Sequence, residues 1–166
     1  ATACSVLHPE RLFVMGVLHD LGRLVIIQHL GQQARDILLL ASSRGALLSY
    51  AELEILGFTH AEVGFELVKA WQLPESICHA VRFHHSPAAA EAHQLEAALI
   101  HIAQAMAHNL VWESDSQRLQ DDIDESAWEI TGLLADSCAE YSGRAGQQIK
   151  DFFSLLMGPG QTNTMA

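Results

Sequence analysis

Histidine is the residue type in this sequence best suited to chemistry, because ten histidines occur in 166 residues and several fall where predicted helices begin or end. The group that stands out on this criterion is His19, Asp20, His60, His84 and His85. Neutral imidazoles and carboxylates are ligands of Zn, Mn and Fe, and a carboxylate can bridge two ions. Spacing alone leaves two interpretations open: a metal site, or histidines satisfied by hydrogen bonds in the core or at the surface.

Other catalytic arrangements find no support in the sequence. The serines Ser5, Ser43 and Ser76 lie in no Gly-x-Ser-x-Gly elbow, so a serine hydrolase is not indicated. The glycine-rich residues 143–146 lack the Lys-Ser/Thr ending and the preceding strand of a phosphate-binding loop. Acidic residues such as Glu52 are predicted to cap helices or to lie on solvated faces.

The charge balance excludes one class of partner. Nine lysines and arginines stand against twenty aspartates and glutamates, which gives a formal net charge of −11. A protein that neutralises nucleic-acid phosphates needs the opposite balance. We therefore expect no nucleic-acid partner.

Cysteine usage and hydropathy bear on location. The three cysteines, Cys4, Cys78 and Cys138, are isolated and form no metal-binding pair, which fits a reducing cytoplasm. The most apolar run, residues 24–27, is far shorter than a membrane span, so no membrane association is expected. The first residues read like the interior of a helix, and we expect the chain to be a fragment of a larger protein.

The elements that must position the histidines are predicted to be helices, because apolar residues recur at helical spacing and no run alternates like a strand. The predicted fold class is all-α, with a single helical domain over residues 1–157 and a flexible tail over residues 158–166. Two pairs, Ser49 with Glu52 and Thr59 with Glu62, have the spacing of a capping box. Asp124 is predicted to be another N-cap. The helices that we place with both ends are residues 10–18, 24–30, 32–43, 60–71, 89–110 and 147–157.

Two stretches resemble known families. Residues 15–24, MGVLHDLGRL, resemble the GLLHDIGKL segment of the HD superfamily of metal-dependent phosphohydrolases. Residues 54–64, EILGFTHAEVG, are followed by WQLP at 71–74 and HHSP at 84–87, and this series resembles the HDOD family of HD-related output domains in bacterial signalling proteins. The resemblance covers about residues 13–87 and continues weakly to about residue 107.

The resemblance implies an HD-superfamily-like helical bundle that follows an N-terminal lobe, which this sequence lacks. It implies two interpretations of His19, Asp20, His60, His84 and His85. Either they are vestigial metal ligands, or Asp20 accepts hydrogen bonds from the histidines and joins helix ends without a metal. The final aspartate of related enzymes is replaced by Gln104, and His101 is an alternative ligand on the same helix. The first histidine of those enzymes has no good counterpart, since His8 lies too close to the His-Asp pair. Losing a carboxylate weakens the hold on an ion.

The function implied by the resemblance is a non-catalytic regulatory output domain that acts through protein–protein contacts. Its expected partners are other signalling domains, such as receiver or cyclic-dinucleotide domains, and exposed apolar faces are expected to favour a homodimer. No catalytic residue and no cofactor are expected, with a divalent metal (Fe, Mn, Zn, Ni or Mg) as the alternative. The alternative function is a metal-dependent phosphohydrolase of nucleotides or cyclic dinucleotides. A third is a small-molecule sensor that uses the old pocket without chemistry.

Overall fold

The computed structural model describes Cys4, residues 8–112 and residues 123–157, and throughout these residues the regular structure is helical. This confirms the all-α fold class. The polar stretch at residues 114–124 is predicted to be a loop, and its residues 114–122 lie outside the described residues, as does the tail at residues 158–166. The α-helices are α1 (Pro9–Leu18), α2 (Leu21–His29), α3 (Gly31–Arg44), α4 (Leu48–Leu56), α5 (His60–Ala70), α6 (Glu75–Phe83), α7 (Gln94–Trp112), α8 (Glu125–Thr131) and α9 (Ala135–Met157).

Local sequence signals explain where two of these helices begin. Thr59 caps α5: its side chain accepts from the Glu62 amide, and the Glu62 carboxylate accepts from the Thr59 amide, so the predicted capping box is present. Asp124 caps α8 by accepting from the Ser126 amide, as predicted. Both caps satisfy amides that have no partner inside their helix.

The second predicted capping box is wrong. Helix α4 begins at Leu48 with Leu47 as its N-cap, and no side chain caps it. Glu52 is instead buried, with 3% of its surface exposed. Its carboxylate is bound by His60, which lies beyond the helix. This tertiary contact takes the place of the capping box that the Ser49 spacing predicts.

The starts of α7 and α9 differ most from the sequence prediction. Helix α7 begins at Gln94 and not near residue 89, because Pro87–Ala89 forms a 3-10 turn and His93 adopts a left-handed φ of 60°. Helix α9 begins at Ala135, twelve residues before the predicted start at 147 (147 − 135). The glycines of residues 143–146 are accommodated within it.

Three hydrophobic clusters hold the helices together. The central one joins α1, α5, α6 and α7 through Met15, Val68, Val81 and Ile100. A second cluster packs α2, α3 and α4 around Ile26 and Ile37, and a third packs α7, α8 and α9 around Ile102 and Cys138. The end of α1, the beginnings of α2 and α5, and the end of α6 lie close to one another, and the histidines lie at these helix ends.

Glycines set the spacing of α2 and α5. A Cβ atom on Gly22 would collide with the His60 carbonyl and lie 2.7 Å from the Gly64 amide nitrogen. A Cβ atom on Gly64 would lie 2.9 Å from the Val81 side chain. The backbones therefore approach closely only because both positions lack a side chain, and this approach places Asp20 beside His60.

Helices α1 and α2 together form a stretch whose length and composition resemble those of a membrane-spanning helix. The stretch Pro9–His29, with 21 residues and a mean hydropathy of 1.3, is long and apolar enough to cross a bilayer by length and composition. It is the one such stretch in the described part of the chain, and core helices pass the same test. The chain turns at His19 and Asp20 within this stretch, and both belong to a polar cluster. The expected absence of membrane association stays a prediction.

Candidate metal centre

The five residues singled out by type and position converge in the structure. His60 and His84 are fully buried, and their Nε2 atoms lie 3.4 Å apart. His85 Nε2 lies 3.0 Å from His60 Nε2. Ligand atoms of these three histidines all lie within 4.8 Å of one another, a spacing that a single metal ion can span. We call this group, with His19 and Asp20, the histidine cluster.

Asp20 stands between the histidines at the N-terminus of α2. Its Oδ1 atom lies 3.3 Å from His60 Nε2 and 3.9 Å from His84 Nε2. Its Oδ2 atom lies 3.6 Å from His19 Nε2 and 3.1 Å from Arg23 Nη1. Oδ1 thus faces His60 and His84, while Oδ2 lies beside His19 and is bound by the guanidinium of Arg23, one turn along the helix.

Three histidines have their tautomers fixed by outer partners. Nδ1 of His19 donates to the Gly16 carbonyl at 2.7 Å, and Nδ1 of His84 donates to the Val81 carbonyl at 2.7 Å. Nδ1 of His60 donates to Glu52 Oε2 at 2.6 Å. A neutral imidazole that donates through Nδ1 carries its lone pair on Nε2. All three lone pairs therefore belong to the atoms nearest Asp20.

Glu52 is a site residue that the sequence interpretation missed. Its Oε2 atom accepts from both the ring and the backbone amide of His60, the latter at 2.9 Å. A carboxylate behind a histidine is typical of metal sites, where it orients the ring and raises its basicity. The available signal was a glutamate eight residues before His60, the first residue of α5. The Ser49 spacing led to its interpretation as part of a capping box.

Burial and neighbouring charge shift the pKa values of the cluster in opposite directions. Burial holds the pKa of His85 down to about 3, and burial together with His85 holds the pKa of His84 well below its ordinary value. Burial also opposes ionisation of Asp20 and His60. Their contact with each other, with Arg23 beside Asp20 and Glu52 beside His60, outweighs it, so the pKa of Asp20 is lowered and that of His60 raised.

The residues considered as replacement ligands lie elsewhere. His101 is fully engaged: Nδ1 donates to the His84 carbonyl at 2.7 Å, and Nε2 accepts from the Asp124 amide at 3.0 Å. The suggested role of His101 as an alternative ligand is therefore wrong. Its two hydrogen bonds link α7 to the start of α8 and to the end of α6. His8 is exposed and lies 3.2 Å from Glu10. No hydrogen bond links Gln104 to the cluster within the described residues.

The polar atoms of the cluster fit a cation. His19 Nε2 and Asp20 Oδ1 are buried and make no hydrogen bond with any described residue. Buried polar atoms are ordinarily paired, and here the unpaired atoms are a lone-pair nitrogen and a carboxylate oxygen. Both are metal donors. The donor set of imidazoles and one carboxylate suits Zn, Fe, Mn or Ni.

Comparison with known proteins agrees with this geometry. A family model described as "HDOD domain" matches residues 1–87. A solved structure, that of a Shewanella amazonensis protein described as "Putative phosphohydrolase", superposes with a TM-score of 0.65 at 25% identity, over 84% of this chain and 52% of the other. An "Uncharacterized protein" of Treponema pallidum is 28% identical over 74 residues, which are 45% of this chain and 14% of that protein. The chain thus spans about half of the Shewanella chain and a small part of the Treponema protein.

Proposed function

The chain belongs to the HDOD domain family, and from this premise we propose that it is a non-catalytic signalling output domain whose histidine cluster holds a single divalent cation. In this function the ion ties helix ends together and so fixes the shape that partners recognise. The observation that carries the proposal is the 3.1 Å contact between Arg23 Nη1 and Asp20 Oδ2.

That contact limits what the cluster can do. A carboxylate commonly bridges two metal ions by placing one oxygen on each ion. Arg23 binds Oδ2, and this contact favours Oδ1 as the oxygen that Asp20 offers to a metal, beside Nε2 of His60 and His84. Helix α7 adds no carboxylate to the histidine cluster: the family resemblance implies that Gln104 stands where related enzymes have an aspartate, and Glu96 of α7 pairs with His93. These residues suit one ion held by imidazoles and one carboxylate oxygen.

Partners and location form part of the same proposal. The domain acts by contacting other signalling domains, of the receiver or cyclic-dinucleotide type, in the cytoplasm. The net charge of −11 supports the absence of a nucleic-acid partner, because a polyanion would be repelled.

A metal-dependent phosphohydrolase is the second candidate. It is favoured by the Nε2 atoms of His60 and His84 beside Asp20 Oδ1, by the Nε2 atom of His19 beside Oδ2, and by the likeness to the Shewanella protein. A bound ion would supply Lewis acidity toward a phosphate ester. His19, His60, His84 and Asp20 would hold the ion, and the Arg23 guanidinium would be the nearest group able to bind a phosphate oxygen.

Metal stoichiometry and turnover separate these functions. Chelator-stripped protein is titrated with Mn, Fe, Zn and Ni, its metal content is measured by mass spectrometry, and hydrolysis of bis(p-nitrophenyl) phosphate and a cyclic dinucleotide is followed. We expect one ion per chain and no turnover above that of Asp20→Asn. The variant Arg23→Gln, which frees Oδ2, should bind the ion more tightly.

Two results would overturn the proposal. Two ions per chain with turnover that Asp20→Asn abolishes would establish the hydrolase. No ion in either the parent or Arg23→Gln would leave the cluster without a metal role. Circular dichroism of each variant shows whether a loss reflects the site or the fold.

A further inference from the structure

A cleft of about 810 Å³ lies between α1, α7 and α9, and no member of the histidine cluster lines it. Its volume is in the range of small-molecule sites, which are mostly apolar and carry a few polar groups that fix orientation. Its walls come from residues that the proposed function does not use.

The two sides of the cleft differ in character. Helices α1 and α7 contribute an apolar wall that includes Leu12, Phe13, Ile102 and Met106. The polar groups come from α9, which contributes Tyr141, Arg144 and Gln148. These three are spaced three and four residues apart, so they lie on one face of α9.

Arg144 is the charged group of this cleft. It forms no ion pair or hydrogen bond with any residue in the described parts of the chain. A guanidinium recognises carboxylates with two parallel N–H donors. The protein as a whole carries a net charge of −11, which opposes the approach of a polyanion. A single negative charge on an apolar body therefore matches the cleft best.

We propose that the cleft binds an amphipathic monocarboxylate. The carboxylate pairs with Arg144, the apolar body lies against α1 and α7, and Tyr141 and Gln148 flank the head group. The site is independent of any metal. It is nevertheless connected to the histidine cluster, because Gly16 lines the cleft and its carbonyl accepts from His19 Nδ1.

Gly16 offers a way to block the cleft. A Cβ atom at Gly16 would meet nothing within 4 Å, so this position opens onto free space. Gly16→Phe would fill part of the cleft. Gly16→Ala is the matched control, because it also removes the helical glycine but adds only a methyl group.

The test uses decanoate and decanol, which share a chain length and differ in charge. Binding is measured by calorimetry below the concentration at which decanoate forms micelles. We expect the parent and Gly16→Ala to bind decanoate at least about tenfold more tightly than decanol, and Gly16→Phe to lose decanoate binding. Arg144→Met should lose the preference for decanoate while its affinity for decanol stays unchanged.

Three results would overturn the proposal. They are equal affinities of the parent for decanoate and decanol, unchanged decanoate binding by Arg144→Met, and no binding by the parent. Arg144 is exposed, so Arg144→Met keeps the test decisive if Gly16→Phe fails to fold. Metal titration of Arg144→Met should match the parent, which separates this site from the histidine cluster.

Discussion

His60 is the residue on which the candidate centre depends, because each of its ring nitrogens faces a carboxylate. Nδ1 lies 2.6 Å from Glu52, and Nε2 lies 3.3 Å from Asp20. These two carboxylates raise the pKa of His60, and a proton that the ring binds on Nε2 occupies the position that a cation would take. Metal binding must release that proton. Affinity for a divalent ion should therefore fall as the pH falls.

The Glu52→Gln variant tests the carboxylate behind His60. The amide keeps the shape of the side chain but is a weaker acceptor for the Nδ1 proton, so the ring becomes a poorer ligand. We expect affinity for Ni or Mn to fall about 10- to 100-fold, measured by calorimetry. Glu54→Gln is the matched control: Glu54 lies on the same helix and pairs with Arg44 at 2.6 Å, away from the cluster. Equal affinities for parent and Glu52→Gln would remove Glu52 from the site.

Buried neutral histidines make the metal-free protein sensitive to acid. The pKa of His85 is lowered from 6.5 to about 3. Between these pH values His85 binds a proton in the unfolded chain but stays neutral in the folded chain. Stability should fall by about 1.4 kcal/mol per pH unit for such a group between these values. His84 shifts in the same direction, while the raised pKa of His60 acts oppositely and removes stability as the pH rises.

We expect the thermal midpoint of chelator-treated protein to fall from pH 6.5 to pH 4.5. His85→Gln should flatten this dependence, whereas substitution of the exposed His29 should leave it unchanged. A midpoint that rises on acidification would contradict the neutral, buried state of His84 and His85.

The contrast between Thr59 and Ser49 shows how much of the site the sequence could predict. Both are followed three residues later by glutamate, yet only Thr59 forms a capping box. The Thr59 box closes within one helical turn, so local sequence encodes it. Glu52 is bound by His60, eight residues later, and local spacing carries no signal for that contact. The histidines converge because separate helix ends pack together, and local spacing carries no signal for that packing either. Their convergence was predicted only from the family resemblance.

At the level of elements, the approach of α2 to α5 decides whether the cluster can form. Gly22→Ala adds a methyl group that collides with the His60 carbonyl and the Gly64 amide, both backbone atoms that have no rotamer to change. We expect a loss of stability of roughly 3 kcal/mol or more, as for overpacking against rigid neighbours. Gly16→Ala is the control in α1, where the new methyl group meets nothing and should raise helix stability slightly.

Denaturant unfolding of the two variants checks this expectation. Gly22→Ala should unfold at much lower denaturant concentration than the parent, and Gly16→Ala at the same or a higher concentration. Equal midpoints for Gly22→Ala and the parent would mean that α2 and α5 do not need this close approach. Helical periodicity predicted both helices, but the spacing between them depends on a pair of glycines 42 residues apart (64 − 22).

At the scale of the whole molecule, exposed apolar residues and net charge act against each other. Leu24 and Ile27 on α2 are 62% and 57% exposed, and Leu38 on α3 is 57% exposed. Ile27 and Leu38 line one small groove, so the patch is continuous across the two helices. Apolar patches of this kind drive association. The net charge of −11 on each copy opposes it.

Self-association should therefore increase with salt, because ions screen the repulsion and leave apolar burial intact. We expect sedimentation equilibrium to detect more dimer at about 0.5 M than at about 0.05 M salt, where the screening length is several-fold greater. A double variant, Leu24→Gln with Ile27→Gln, should stay monomeric at both. Leu134→Gln is the matched control, since Leu134 is 70% exposed but lies between α8 and α9, outside the patch. A parent that is monomeric at both salt concentrations, or a double variant that still dimerises, would show that this face does not pair two copies of the chain.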